Sequence, residues 1–472
     1  MKRAWIIALF AVLVVAGTFA ASKKESMAGA RQQLADPPVA PASAPAMSAH
    51  PSPYNFAGVQ YPRIEADNRV TFHFTAPNAQ KVQVSIVNVP FDMVKDPDGV
   101  WTYTSAPQPP GYHNYWMIVD GAIVLDPGTQ AFIGYGHMCN GFEVPEPGVD
   151  WYDLKDVPHG HVTAENYFAK SIDAWRHIYV YTPPGYDANL KTRYPVFYLQ
   201  HGGGEDERVW IEMGRTNVIL DNLLAQGKVK PMIVVMETSA TGASDAPGGR
   251  PGINGAPPVG GVGRGPAGAP GTSAPAGPPA ARGAAAPGRG FPGIGGPGGG
   301  AYGQFMTADL IPWVDKNFRA VANKDHRAMA GLSMGGMQTS AVTMANLDKF
   351  SYIGFFSGGA AAGGPGRGRG GAPGAPGATP AAAPTTPAAP TPLDLKTIYN
   401  GQMAIPEEFN KKVKVLFMSC GSMENPDGLR AHQQQLAAAG ITNSYVYVSP
   451  GTAHEWQTWR RSLYTFAPLL FR

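Results

Sequence analysis

The stretch Ala330-Gly331-Leu332-Ser333-Met334-Gly335-Gly336 decides the fold of this chain. An apolar run, Arg327 to Leu332, leads into it and reads as a buried strand, while the residues from Gly335 onward read as a helix. Glycines two positions either side of Ser333 permit a tight strand-to-helix turn that a larger side chain would obstruct. Such a turn presents the hydroxyl at the C-terminal edge of a sheet and aims the first helix amides at the same spot. Alone, Gly-x-Ser-x-Gly is a weak pattern, because a glycine-rich chain produces it by chance. The rest of the chain gives it meaning.

Outward from this turn, strands alternate with helical stretches. Residues 195–199, 232–236, 327–332, 352–356 and 413–417 are short, nearly continuous apolar runs, the signature of parallel strands buried on both faces. Residues 217–226, 306–318 and 429–439 read as helices between them. The expected class is α/β with a mostly parallel central sheet.

A serine hydroxyl is a poor nucleophile at neutral pH and needs a base, usually a histidine oriented by a carboxylate. Ser449-Pro450-Gly451-Thr452-Ala453-His454-Glu455-Trp456 comes after the strand-like run 444–448 and can bring His454 over the same sheet edge. Between serine and histidine lies Gly421-Ser422-Met423-Glu424-Asn425-Pro426-Asp427, which offers two carboxylates at a strand's C-terminal end. Glu424 and Asp427 are both candidates for the acid, and either is equally suited to capping the helix that begins near Gly428. The order serine, acid, histidine is that of α/β-hydrolases. Chemistry of this kind also needs donors for a developing oxyanion. Leu199-Gln200-His201-Gly202-Gly203-Gly204 comes after the first core strand and can present backbone N–H groups, with the Met334 N–H as a second source. His201 reads as a brace for this loop.

Upstream the character changes. Met1-Lys2-Arg3 and the apolar run from Ala4 to Ala21 have the form of a secretory signal over 1–21, which implies a secreted or periplasmic protein. Residues 22–53, rich in Ala, Pro and Ser, read as a disordered linker. Over 54–135, short runs with apolar residues at period two (70–74, 82–86, 101–104, 115–119) and turn signals between them suggest a small β-sandwich. The α/β region then spans 152–472, interrupted by Gly/Ala/Pro tracts at 242–300 and 359–392 that cannot bury enough apolar surface to fold and should loop out.

Several function classes recede. A net charge of +3 over 472 residues leaves no basic excess for nucleic acid. No run after the signal is long and apolar enough to span a bilayer. Two cysteines, Cys139 and Cys420, exclude a disulfide-built scaffold; in an oxidising compartment they could pair, but Cys420 ends an apolar run and reads as a buried thiol. His159-Gly160-His161 lacks a neighbouring ligand cluster, so no metal is expected, and no dinucleotide or phosphate fingerprint implies a cofactor. Trp210, Trp456 and Trp459 suit either an aromatic platform or the core.

Together the motifs at 194–204, 219–235, 331–336 and 454–461 resemble carbohydrate esterase family one, the feruloyl and acetylxylan esterases related to esterase D and enterochelin esterase. Residues 54–133 resemble, less specifically, the immunoglobulin-like early-set domain often joined to such enzymes. The resemblance implies an α/β-hydrolase in which Ser333 is nucleophile, His454 base, and Gly203 and Met334 the oxyanion donors, without cofactor or metal. The family's acid is usually an aspartate in Gly-Thr-x-Asp; here that place falls on Glu424, a departure that leaves Asp427 as fallback. The implied substrate is a feruloyl or acetyl ester of plant cell-wall carbohydrate. Siderophore lactones, acyl transfer on the same triad, and a catalytically inactive carbohydrate-binding protein are the alternatives.

Overall fold

Strands buried on both faces need continuous apolar sequence, and the apolar runs of this chain assemble into one eight-stranded sheet. The computed structural model describes residues 34, 36–38, 48–238, 300–360 and 393–472. The chain divides into two units, 1–36 and 37–472. Only Leu34 and Asp36 of the first are described, and every strand and helix named below belongs to the second. The signal segment, most of the linker, and both low-complexity tracts apart from Gly300, Gly359 and Ala360 lie outside the described residues.

The large sheet comprises β1 (His161–Ala169), β2 (Ala174–Thr182), β3 (Val196–Gln200), β4 (Ile233–Glu237), β5 (Arg327–Leu332), β6 (Tyr352–Phe356), β7 (Val415–Gly421) and β8 (Ser444–Ser449). Their order is β1-β2-β4-β3-β5-β6-β7-β8. From β4 to β8 neighbours run parallel, whereas β1–β2 and β2–β4 are antiparallel. The sheet is therefore mixed. The β1–β2 hairpin escaped the sequence reading because β1 is mostly exposed and its His161-Val-Thr-Ala-Glu-Asn carries few apolar residues to mark it.

Strand order reverses between β3 and β5. The chain leaves β3 toward β4 on one side and later returns to β5 on the other, so the crevice at their carboxyl ends is the switch point where α/β sheets hold ligands. Four helices matter for the site: α1 (Thr216–Ala225), α2 (Met334–Ala345), α3 (Pro426–Ala438) and α4 (Trp456–Phe466). Tyr302, Phe305, Leu310 and Val314 cover one face of the sheet over Val196, Tyr198 and Met329.

Ahead of this sheet, two antiparallel sheets share one core. Val70, Phe72 and Trp101 from the first pack with Val82, Val84, Tyr115, Met117, Phe142 and Val144 from the second. The paired region is wider than 54–135. His50–Pro51 pairs with Arg63–Ile64, inside the span read as linker, and His137–Val144 joins the second sheet beyond its expected end. His50–Pro51 shows no apolar alternation, and in His137–Val144 it is confined to Phe142 and Val144 at the end. His50–Pro51 is only two residues long, and His137–Val144 has its polar side chains satisfied inside: Asn140 Oδ1 accepts from the Asp126 amide at 2.7 Å.

Glu143 carries the same strand's polarity across to the large sheet. Arg460 of α4 is fully buried and donates to Glu143 Oε1 (2.5 Å) and Oε2 (3.1 Å), and to the Met213 carbonyl (2.8 Å). Arg461 and Gln457 of the same helix grip Glu146 at 2.7 and 2.6 Å. A buried guanidinium is tolerable only with such full pairing. The helix directly after His454 is thus held by Glu143 of the N-terminal sheets and Glu146 just beyond their last strand. Cys139 and Cys420 are both free and buried, without a disulfide between them. Among the described residues no helix is long and apolar enough to cross a membrane.

Candidate active site

Ser333 sits at the junction of β5 and α2 with φ 50° and ψ −113°, a conformation that costs energy for any residue with a Cβ. Its neighbours explain how the turn closes. A Cβ on Gly331 would lie 2.5 Å from the Gly335 carbonyl, and one on Gly335 would strike the backbone of Gln200 and His201. Ser333 N–H donates to the Phe356 carbonyl at 2.7 Å, tying the elbow to β6.

The later loops bring two more side chains to this point. His454 Nε2 lies 2.9 Å from Ser333 Oγ, and His454 Nδ1 lies 2.8 Å from Glu424 Oε1. An ionised carboxylate only accepts, so Nδ1 carries the proton and Nε2 is left to accept from the serine hydroxyl. The other carboxylate oxygen, Oε2, accepts from the Gly421 N–H (2.6 Å) and the Ser357 hydroxyl (2.8 Å). Burial pushes the Glu424 carboxyl up, but these donors and His454 outweigh it and hold the group below its ordinary range. Ser357 Oγ in turn accepts from Trp459 Nε1 at 3.1 Å, and the Trp459 ring meets the His454 ring edge-on at 5.1 Å.

Glu424 reaches although it is longer than aspartate because its carboxylate folds back onto the Gly421 amide, three residues upstream. Asp427 stands away from the histidine. It is exposed in the first turn of α3 and pairs with Arg430 at 3.2 Å. The cap of that helix is Asn425, whose side chain accepts from the Gly428 N–H at 3.2 Å.

These groups open into a pocket at the carboxyl edge of the sheet. Gly202, Gly203, Leu332, Ser333, His454, Trp456 and Trp459 line one part of it. Met334 is buried at the first position of α2, where its N–H belongs to the amides without an intrahelical acceptor. His201 is buried and its Nδ1–H donates to the Gly202 carbonyl at 2.7 Å, a brace for the loop; burial holds its pKa down. Trp210 lies in the core with its Nε1–H on the Gln200 carbonyl, whereas Trp456 and Trp459, though mostly buried, face the pocket. His159 is fastened to Asp221 and the Lys155 carbonyl. Among the described residues no three His, Cys, Asp or Glu side chains stand together as a metal site.

The sequence reading missed the far wall of the pocket. Val87, Tyr112, His113, Asn114 and Tyr135 come from the N-terminal sheets, and no motif in the α/β region could have announced them. It also missed Glu205, buried beside the glycine loop, whose Oε2 accepts from the Gly202 N–H at 2.8 Å. Ser357 went unnoticed too, although it ends the apolar run of β6 where such sheets place functional loops.

A serine on a strand-to-helix elbow, with a histidine and a carboxylate delivered by later loops of one mixed sheet, defines the α/β-hydrolase class of architecture. Residues 286–469 match the family model Esterase, described as "Putative esterase". The chain is 32% identical over 432 residues to the endo-1,4-beta-xylanase/feruloyl esterase of Xylanibacter ruminicola, covering 89% of this chain and 47% of that protein. It thus spans about half the length of that relative. A stretch of 94 residues is 39% identical to endo-1,4-beta-xylanase Y of Acetivibrio thermocellus, covering 20% of this chain and 8% of that one. Among solved structures, the enterobactin esterase of Shigella flexneri, determined in the presence of 2,3-dihydroxy-N-benzoylglycine, aligns with a TM-score of 0.51 at 15% identity. That alignment covers 85% of this chain and 92% of the other, and the likeness is one of fold. The resemblance to feruloyl esterases drawn from the sequence motifs is borne out.

Proposed function

We propose that this protein is an exported serine carboxylic-ester hydrolase that removes feruloyl or acetyl groups from plant cell-wall carbohydrate through an acyl-enzyme. The observation that carries the reading is the continuous line of hydrogen bonds Ser333–His454–Glu424 at the floor of an aromatic-walled pocket. Ser333 Oγ attacks the ester carbonyl as His454 Nε2 takes its proton, and Glu424 stabilises the imidazolium that forms. The oxyanion is received by the N–H groups of Gly203 and Met334. Collapse of the tetrahedral species expels the carbohydrate alcohol, which takes the proton from His454. Water then repeats the sequence on the acyl-enzyme, with His454 as base, and releases the acid. No metal or organic cofactor enters any step.

The substrate class rests on two supports. Trp456, Trp459, Tyr135 and Tyr112 offer flat apolar surface for an aromatic acyl group. The relative that matches over most of this chain is named for feruloyl ester cleavage and xylan hydrolysis. Export rests on the signal-like form of residues 1–21, and the two N-terminal sheets are read as an immunoglobulin-like early-set module.

The test is turnover of p-nitrophenyl acetate, methyl ferulate, acetylated xylan and a catecholate trilactone by wild type and Ser333→Ala. Loss of all turnover in the variant, with methyl ferulate or acetylated xylan the best wild-type substrate, is the expected result. Preference for the trilactone would move the protein to siderophore hydrolysis. Retention on xylan without turnover by folded wild type would mark a binding protein.

A further inference from the structure

The glycine loop after β3 is gripped from two sides. On one side the Gly202 N–H donates to Glu205 Oε2, while His201 holds the Gly202 carbonyl. On the other side stands a turn of the N-terminal sheets. Tyr135 and Gly136, both at positive φ (54° and 85°), join the strands Ala131–Gly134 and His137–Val144. The Gly136 N–H donates to the Gly204 carbonyl at 2.9 Å. Contact there is close enough to demand glycine: at Gly204 (φ +77°) a Cβ would stand 2.7 Å from Gly136 N and 3.0 Å from the Tyr135 carbonyl carbon. The Tyr135 ring continues into the pocket wall and rests on Trp116, 5.5 Å between centroids. Between the two grips, the Gly203 N–H has no acceptor among the described residues, and Gly203 lines the pocket.

An oxyanion donor is effective only if its direction is fixed before charge develops. A three-glycine loop has no side chains of its own to fix it. We propose that the Tyr135–Gly136 turn is a positioning element for the oxyanion loop, so that the N-terminal sheets are a working part of the active site through their backbone contact with Gly204. The proposal rests on the serine-hydrolase reading and adds a function for the turn that this reading does not require.

Two variants test it. Gly204→Ala pushes the turn away from the loop. Lengthening the turn by two glycines between Tyr135 and Gly136 releases the loop without touching it, at a hairpin tip where insertions are tolerated. Gly185→Ala is the control for backbone strain, since Gly185 has nearly the same φ (+76°) with nothing within 4 Å of a Cβ. On p-nitrophenyl acetate both test variants should lose kcat by roughly tenfold to hundredfold with KM within about threefold of wild type, as for a weakened oxyanion donor. Inhibition by an aryl trifluoromethyl ketone, whose adduct carries the oxyanion, should weaken by the same factor. Gly185→Ala should match wild type in both. A folded variant with wild-type kcat, or a loss confined to KM, would overturn the proposal. An inactive wild type would sink the hydrolase reading before any variant is compared, and the positioning role with it.

Discussion

Glu205 offers a stability prediction whose sign is opposite to that of most carboxylates. The group is buried beside the glycine loop, and burial pushes its carboxyl from 4.5 up to about 8, against the pull of the Gly202 N–H and with a further push from Asp206. The folded chain therefore holds this proton more tightly than the unfolded chain. Stability from this group is fully present below pH 4.5 and is lost as the pH rises through the folded value of about 8, because the unfolded state ionises first. At about 1.4 kcal/mol per unit, the 3.5-unit difference (8 minus 4.5) sets a ceiling of about 5 kcal/mol. Glu205→Gln keeps an acceptor for the Gly202 N–H and cannot ionise. The variant should match wild type near pH 5 and exceed it increasingly toward pH 9, by up to ~10 °C in Tm. Calorimetric melts at half-unit pH steps would show the two curves diverging with rising pH. Curves that stay parallel from pH 5 to 9 would refute the argument, because Glu205 would then be ionised in the folded state.

The acid of the triad is tested by three substitutions. Glu424→Gln should cut kcat by about 10²–10⁴, since an amide no longer enforces the Nδ1–H tautomer, whereas Asp427→Asn should leave it within about twofold. Glu424→Asp should fall between them, because the shorter side chain cannot meet His454 and the Gly421 amide together. At the contact between α4 and the N-terminal sheets, Glu143→Gln strands the buried Arg460 guanidinium and should cost about 3–5 kcal/mol in denaturant unfolding. A loss below about 1 kcal/mol would show that this pair is solvated in solution.

Much of the α/β region could be read directly because continuous apolar runs report burial on both faces. β5 and β6 fall on the residues expected, and β3, β4 and β8 differ only at their ends. What escaped is where burial comes from elsewhere. β1 is mostly exposed, and His137–Val144 mixes polar with apolar residues yet is buried from Cys139 onward, its Glu143 satisfied by an arginine more than three hundred residues away. The same logic divides the site. Ser333, His454 and Glu424 are short motifs on loops of one sheet edge, and glycine spacing marks the first of them. Gly203 was marked by its run of glycines. Tyr135 and Asn114 carry no local signal, because they become site residues only when two folded parts meet, and Glu205, although next to the glycine run, reads as an ordinary loop carboxylate until its burial is seen.

The most direct test of the central claim is to treat the protein with diethyl p-nitrophenyl phosphate and measure its mass. The account predicts one diethylphosphoryl group per chain, located by peptide mapping on Ser333, with esterase turnover lost in proportion and no label on Ser333→Ala. Full turnover by protein whose Ser333 is phosphorylated, or a stoichiometric label on another residue that accounts for the lost activity, would contradict it.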